Sequence, residues 1–275
     1  MKRIVSLILP LVAAVSLSAQ EYSWTAGKLD ATRTGCIVPS KDNIADAIGK
    51  FDGKTYVSPN GSRFAANSST AKVAKIVMNA QEKMARVKDV VGYSPAVMEK
   101  HYPESPLSNW YVDALIKQSE IVFGKKVHIG VGNFGGIRVD MPQGDIILDD
   151  ILSMFPFKNS VVYIEHKGSV IRRILQEMAA TRFQVLGGVR IVAEDGKLVS
   201  VEVDGEPLDD ARIYGLVTNS FLLHGGDGLF LANDALSLTD TGVNLCDVML
   251  DYLKAEATAG RQIVGSSDGR IIIRK

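Results

Sequence analysis

Two glycine-rich stretches hold the side chains best suited to gripping a small molecule. NFGGIR spans residues 133–138 and TNSFLLHGGDG spans residues 218–228, with PFKN at 156–159 between them. Each sets a phenylalanine beside amide or charged groups on a backbone that glycine or proline turns. An aromatic face stacks on a flat heterocycle, a guanidinium pairs with a phosphate, and a carboxylate accepts hydrogen bonds from a sugar diol. That set of groups suits a nucleotide. Phe157 and Phe221 are the candidate platforms, Arg138 the candidate phosphate partner and Asp227 the candidate ribose acceptor. Asn133 and Asn159 are candidate polar contacts, while Gly135, Gly136 and Gly226 free the backbone to pass close to a ligand. Taken singly, each has a plainer explanation. A phenylalanine packs in a core, Arg138 neighbours Asp140, and Asn159 or Asp227 caps a turn.

Other chemistries fit less well. GVGNFG, residues 130–135, matches the spacing of a dinucleotide-binding turn, but Pro142 and Gly144 follow too soon for the helix that must aim its dipole at a pyrophosphate. His101, His128, His166 and His224 have no close-set companions, so no metal-ligand set emerges. Nor is there a G-x-S-x-G elbow for a serine nucleophile. No catalytic residue is therefore assigned within this chain.

These loops need a scaffold, and the periodicities supply one. NSST, from Asn67, offers a cap before Val73, Ile76, Val77, Ala80, Met84 and Val87 at helical spacing. A second helix follows Pro106, with Leu107, Trp110, Tyr111, Ala114 and Leu115 on one face. Strands are expected near Lys126, Ser160 and Arg212, helices near Asp149, Ser169 and Gly242, and a last strand at the end. Around Asp195-Gly196 the chain alternates in period two, a tight-hairpin pattern. This order predicts an α+β fold, a layered mixed or antiparallel sheet with packed helices. Residues 20–70, rich in Gly, Asp, Asn, Ser and Thr, read as an irregular arm ahead of a domain over 71–275.

Composition narrows the setting. The 275 residues carry 31 Lys plus Arg against 31 Asp plus Glu, so no global positive field exists to hold a nucleic acid. Residues 1–19, with a basic start, an apolar run and small residues before Gln20, read as a cleaved signal peptide. The expectation is export to a periplasmic or extracellular space, with no membrane span in the mature chain. Export would permit a disulfide between Cys36 and Cys246, though Cys246 falls on the apolar stripe Val243, Cys246, Leu250, Leu253, where a thiol serves as a small hydrophobe.

NFGGIR, the GDII run from Gly144, PFKN, GSVI from Gly168, LGGVR from Leu186, TNSFLLHGGDG and the closing DGRI occur in one order. Together they resemble the carboxy-terminal, substrate-binding domain of the 5′-nucleotidases over about Val73 to Arg274. The resemblance implies that Phe157 and Phe221 sandwich a base, that Asn133, Arg138 and Asn159 make polar contacts, that Gly188 lies along the base pocket and that Asp227 holds the ribose. In place of the family's arginine before the second helix stand Pro103 and Glu104. The family's metallophosphatase half, with its D-x-H and G-N-H-[DE] motifs, has no counterpart here, and an arm of about seventy residues is too short for one. With the leader-like residues 1–19, the resemblance implies an exported domain that binds a nucleoside monophosphate or nucleoside, holds no cofactor of its own, and serves nucleotide catabolism with a separate metallophosphatase carrying divalent metals. Two alternatives stay open: a stand-alone nucleoside-binding protein, or a self-sufficient phosphoesterase with unrecognised metal ligands.

Overall fold

The computed structural model describes residues 44–274. Among them two compact units divide after Lys72. In the smaller, helix α1 (Ile44–Ile48) precedes an antiparallel meander of β1 (Lys50–Asp52), β2 (Thr55–Val57) and β3 (Arg63–Ala65). The expectation of an irregular arm is corrected over this stretch. Gly53 and Gly61 take the left-handed backbone that Asp52-Gly53 and Asn60-Gly61 turns require. Tyr56 packs against Phe51 and Phe64, with ring centroids 5.4 and 6.0 Å apart. Strands of three residues are too short for period-two alternation to register against a polar background. Cys36 and the leader-like residues 1–19 lie outside the described residues.

Helix α2 (Ser69–Met84) forms where its spacing predicts, although Val73, Ile76 and Met84 are exposed. In the larger unit an antiparallel two-stranded sheet, β4 (Val90–Ser94) with β6 (Gly144–Ile147), accompanies the principal sheet. Helix α3 (Pro106–Phe123) starts on Ser105, whose hydroxyl accepts from the Ser108 amide, and stops at Gly124 in the left-handed region. Strand β5 (Ile129–Gly132), helix α4 (Leu148–Met154), strand β7 (Ser160–Lys167) and helix α5 (Gly168–Ala180) follow. Then come β8 (Val185–Gly187), β9 (Val189–Glu194), β10 (Lys197–Val203), β11 (Glu206–Pro207), β12 (Ile213–Asn219), β13 (Ser237–Asn244), helix α6 (Leu245–Thr258) and β14 (Ile271–Arg274).

The principal sheet runs β13-β7-β12-β5-β8, with β12 and β5 parallel and the other pairs antiparallel. A second sheet runs β11-β10-β9-β14, closed by parallel β14. Strand β7 shows how one sheet serves two cores. Val161 and Tyr163 point to the layer of α3, α4 and α6, whereas Val162 and Ile164 point to the layer of α5 and the second sheet. Adjacent residues on a strand face opposite sides, so a β7 buried on both faces must read as a continuous apolar run. The architecture is the layered α+β arrangement expected. Strand β13 carries no signal in the sequence because SLTDTGVN is a polar, largely exposed edge with a register shift between Asp240 and Asn244. Cys246 is buried in the α3/α6 core as a free thiol.

Candidate functional site

The parallel pair β5 and β12 sets the site. Val131 pairs with Thr218, so both strands end side by side, and Asn133, which follows β5, and Asn219, the last residue of β12, lie at the same edge. The carboxyl ends of parallel strands are where open sheets leave a crevice for ligands. From β5 the chain enters a short helical turn, Phe134–Gly136; from β12 it enters another, Ser220–Leu223, which carries Phe221. The loop from α4 to β7 delivers Phe157 and Asn159 to the same edge.

One cleft of about 300 Å³ is lined by Asn133, Gly135, Gly136, Phe157, Asn159, Phe221 and Asp227. The structure therefore gathers seven of the ten residues singled out from sequence. Phe157 is 47% exposed and Phe221 46%, each presenting a ring that the core does not claim. Asp227 sits in the left-handed region at φ 49°, between Gly225 at 107° and Gly228 at 78°. Gly226 serves Phe221 instead of the ligand: a Cβ there would meet the Phe221 carbonyl oxygen at 2.1 Å. Gly136 likewise makes room for Asn133, whose Oδ1 would lie 2.6 Å from an added Cβ. Asn133 Nδ2 donates to Asp227 Oδ2 at 2.8 Å, and Asn219 Nδ2 donates to Asn133 Oδ1 at 3.3 Å.

Arg138 borders the cleft without lining it. Its guanidinium carbon is 5.9 Å from the Phe157 ring centroid, and Nη1 donates to the Gly135 carbonyl at 3.3 Å. It makes no ion pair with Asp140, whose carboxylate accepts from the Lys100 amide. Gly188 is not brought to the cleft. It lines a separate depression with Arg190, Glu202, Asp204 and Arg270, and its φ of 73° and the His128 carbonyl, 2.0 Å from an added Cβ, account for the glycine. The placement of Gly188 along the base pocket is corrected accordingly. Arg270, nearly buried in that region, forks onto Asp113 at 2.8 and 2.9 Å and ties β14 to α3. A third depression, with Lys100, Arg182 and Gln184, adjoins the cleft through shared Gly135 and Asp227.

Histidines contribute scaffold. His128 Nδ1 accepts from the Gly215 amide and His166 Nε2 donates to the Leu231 carbonyl; burial, ahead of neighbouring charges, lowers the pKa of both. Among the described residues no group of three or more His, Cys, Asp or Glu gathers as a metal set. Nor is any helix among them long and apolar enough to cross a membrane. Sequence reasoning missed Asn219. In one dimension Asn219 is a strand end, and only the pairing of β5 with β12 reveals its place behind Asn133.

Comparison with known proteins agrees with this architecture. The family described as 5′-nucleotidase, C-terminal domain matches residues 83–234. Protein UshA of Salmonella pullorum is 32% identical over 130 residues, covering 46% of this chain and 24% of that protein. A 5′-nucleotidase of Vibrio cholerae is 30% identical over 137 residues, covering 48% and 25%. The chain thus spans about a quarter of the length of these curated relatives. The crystal structure of a 5′-nucleotidase precursor from Thermus thermophilus matches with a TM-score of 0.64 at 25% identity, over 81% of this chain and 50% of that one. The Haemophilus influenzae NAD nucleotidase shares the fold, with a TM-score of 0.58 at 19% identity over 80% and 48%. With over half its length matched in one block, this chain belongs to the 5′-nucleotidase C-terminal domain family.

Proposed function

We propose that the cleft binds a nucleoside or nucleoside monophosphate, its base between Phe157 and Phe221, its ribose on Asp227 and its phosphate drawn by Arg138. One observation carries this reading: two half-exposed phenylalanines share a cleft with an amide, Asn159, and a carboxylate, Asp227. Exposed rings at element ends add little to a core, whereas each ring stacked on a base contributes about 1–3 kcal/mol of binding. Family membership supports the same reading. Calorimetry with adenosine, AMP and inorganic phosphate tests it, since the three ligands separate base, sugar and phosphate. Saturable adenosine binding is the expected result; no heat with adenosine or AMP at millimolar concentration would end the proposal.

The same reading places the chain in nucleotide catabolism beside a separately encoded metallophosphatase, in an exported compartment. In this division of labour the chain supplies capture and orientation, and bond cleavage falls to divalent metals held by the partner. Fixing the ligand's base and sugar holds its phosphate in place for that second site. Phosphate release that rises when this chain is added to such a partner, and does not rise with a Phe157→Ala, Phe221→Ala double variant, is the expected outcome. Export is tested by the amino-terminal residue of the protein recovered outside the cytoplasm, expected near Gln20.

A further inference from the structure

We infer that the depression beside the cleft, carrying Lys100, Arg182 and Gln184, is a phosphate subsite separate from Arg138, and that it takes a phosphate borne on the 2′ or 3′ oxygen of the sugar. Its place relative to the sugar rests on the nucleoside reading above; its affinity for phosphate does not.

Hydrogen-bond donors converge there with no protein acceptor to take them. Gln184 is 8% exposed. The Phe134 amide donates to its Oε1 at 3.3 Å, and an N–H is met only by an acceptor, so the NH₂ end must face the other way. Nε2 finds no acceptor among the described residues, yet it is not sealed in the core: it opens on the depression that Gln184 lines. A nearly buried NH₂, held in one orientation and left unbonded, calls for an oxygen.

Lys100 and Arg182 add charge. The Lys100 ammonium donates to the Phe134 and Ile137 carbonyls, at 3.1 and 2.6 Å. An ammonium has three N–H donors, so one remains, and its charge is met by dipoles instead of a carboxylate. Arg182 lays its guanidinium over the Tyr102 ring, 4.6 Å from carbon to centroid, and forms no ion pair among the described residues. Stacking fixes the plane of the group and leaves its N–H edge free for a forked contact with an oxyanion. Tyr102 in turn meets Phe134 edge-on, with centroids 5.9 Å apart, so the arginine is tied to the loop that orients Lys100 and Gln184. Two cations and one oriented amide thus face a single carboxylate, Asp227, whose Oδ2 is already engaged by Asn133 at 2.8 Å. Donors of this kind suit a phosphate, whereas a cation would find too few acceptors.

Position decides which phosphate. The depression, of about 500 Å³, shares Gly135 and Asp227 with the cleft, whereas Arg138 borders the cleft beside the Phe157 ring. With the sugar on Asp227, an oxygen on its 2′ or 3′ carbon lies at the boundary of the two, and a phosphate carried there passes into the depression. The remaining hydroxyl still donates to Asp227. A 5′ phosphate leaves the sugar at its other end.

The test is calorimetry on the full chain with inorganic phosphate, adenosine, 3′-AMP and 5′-AMP. The wild-type protein should bind 3′-AMP about 10-fold or more tighter than adenosine, through bonds donated to a charged group, and the gain should shrink as salt rises. Arg182→Ala, at an exposed side chain, should weaken 3′-AMP and inorganic phosphate by about 5-fold or more and leave adenosine and 5′-AMP unchanged. Gln184→Glu, which keeps the acceptor for Phe134 and turns the donor into an acceptor, should weaken 3′-AMP likewise. Should that variant fail to fold, Arg182→Ala alone decides. Wild-type 3′-AMP affinity no greater than that of adenosine overturns the inference, and so does 3′-AMP affinity that Arg182→Ala leaves intact. A loss confined to 5′-AMP also overturns it, because the depression then belongs to the Arg138 end. If no nucleoside or nucleotide binds, the nucleoside reading falls and takes the sugar-edge assignment with it; Arg182-dependent binding of inorganic phosphate then upholds the subsite by itself, and its absence ends both.

Discussion

Phe155, Phe157 and Phe221 give a sharp contrast, because one is a core side chain and two are assigned to a ligand. Phe155 is 3% exposed and packs on Tyr111 at a ring-centroid distance of 5.0 Å. Its truncation to alanine should cost about 3–5 kcal/mol of stability, the usual figure for a large buried ring that leaves a cavity. Phe157 and Phe221, about half exposed, should each forfeit only half of a burial contribution, roughly 1–1.5 kcal/mol, because the space left opens to solvent. Their effect should fall on binding: about 1–3 kcal/mol per ring, which weakens adenosine roughly 5- to 150-fold. Urea unfolding and calorimetry on the three single variants measure both quantities. Phe157→Ala and Phe221→Ala proteins that are as unstable as Phe155→Ala, yet bind adenosine as the wild type does, would refute the assignment of these rings to a ligand.

Gly226→Ala should weaken adenosine binding and lower stability by about 1–3 kcal/mol, since the new methyl meets a backbone oxygen of Phe221 that cannot swing aside; wild-type behaviour in both assays would contradict this. Acidification should destabilise the fold through His166, whose pKa burial holds below its ordinary value of 6.5. Below pH 6.5 the unfolded chain takes up a proton that the folded chain refuses, so stability is lost as pH falls toward the folded pKa. His166→Gln should flatten the urea midpoint over that window. Cys246, whose thiol burial pushes up to about 11, should resist alkylation by iodoacetamide in the native protein and react on unfolding.

Local chemistry was legible in the sequence wherever neighbours along the chain decide it. Ser105-Pro106 announces α3, Asp195-Gly196 announces the β9–β10 hairpin, and the glycine motifs mark the loops of the cleft. The same logic was available at Asp52-Gly53 and Asn60-Gly61, but strands of three residues gave it too little to act on. What could not be read were meetings across the sheet. Nothing local joins Val131 to Thr218, 87 residues away, and so nothing placed Asn219 behind Asn133. Gly188, set along the base pocket only by the resemblance, lines a separate depression, where the close His128 carbonyl accounts for the glycine.

That 87-residue span bears on how binding competence is acquired. The floor of the cleft exists only once β5 and β12 lie side by side, and closing so long a loop is entropically costly before any of its contacts can compensate. Helices α3 and α5, and the β9–β10 hairpin, need no such closure. Affinity for a ligand should consequently emerge in the final refolding phase, after most helical signal has returned, which makes the ligand a reporter of completed topology.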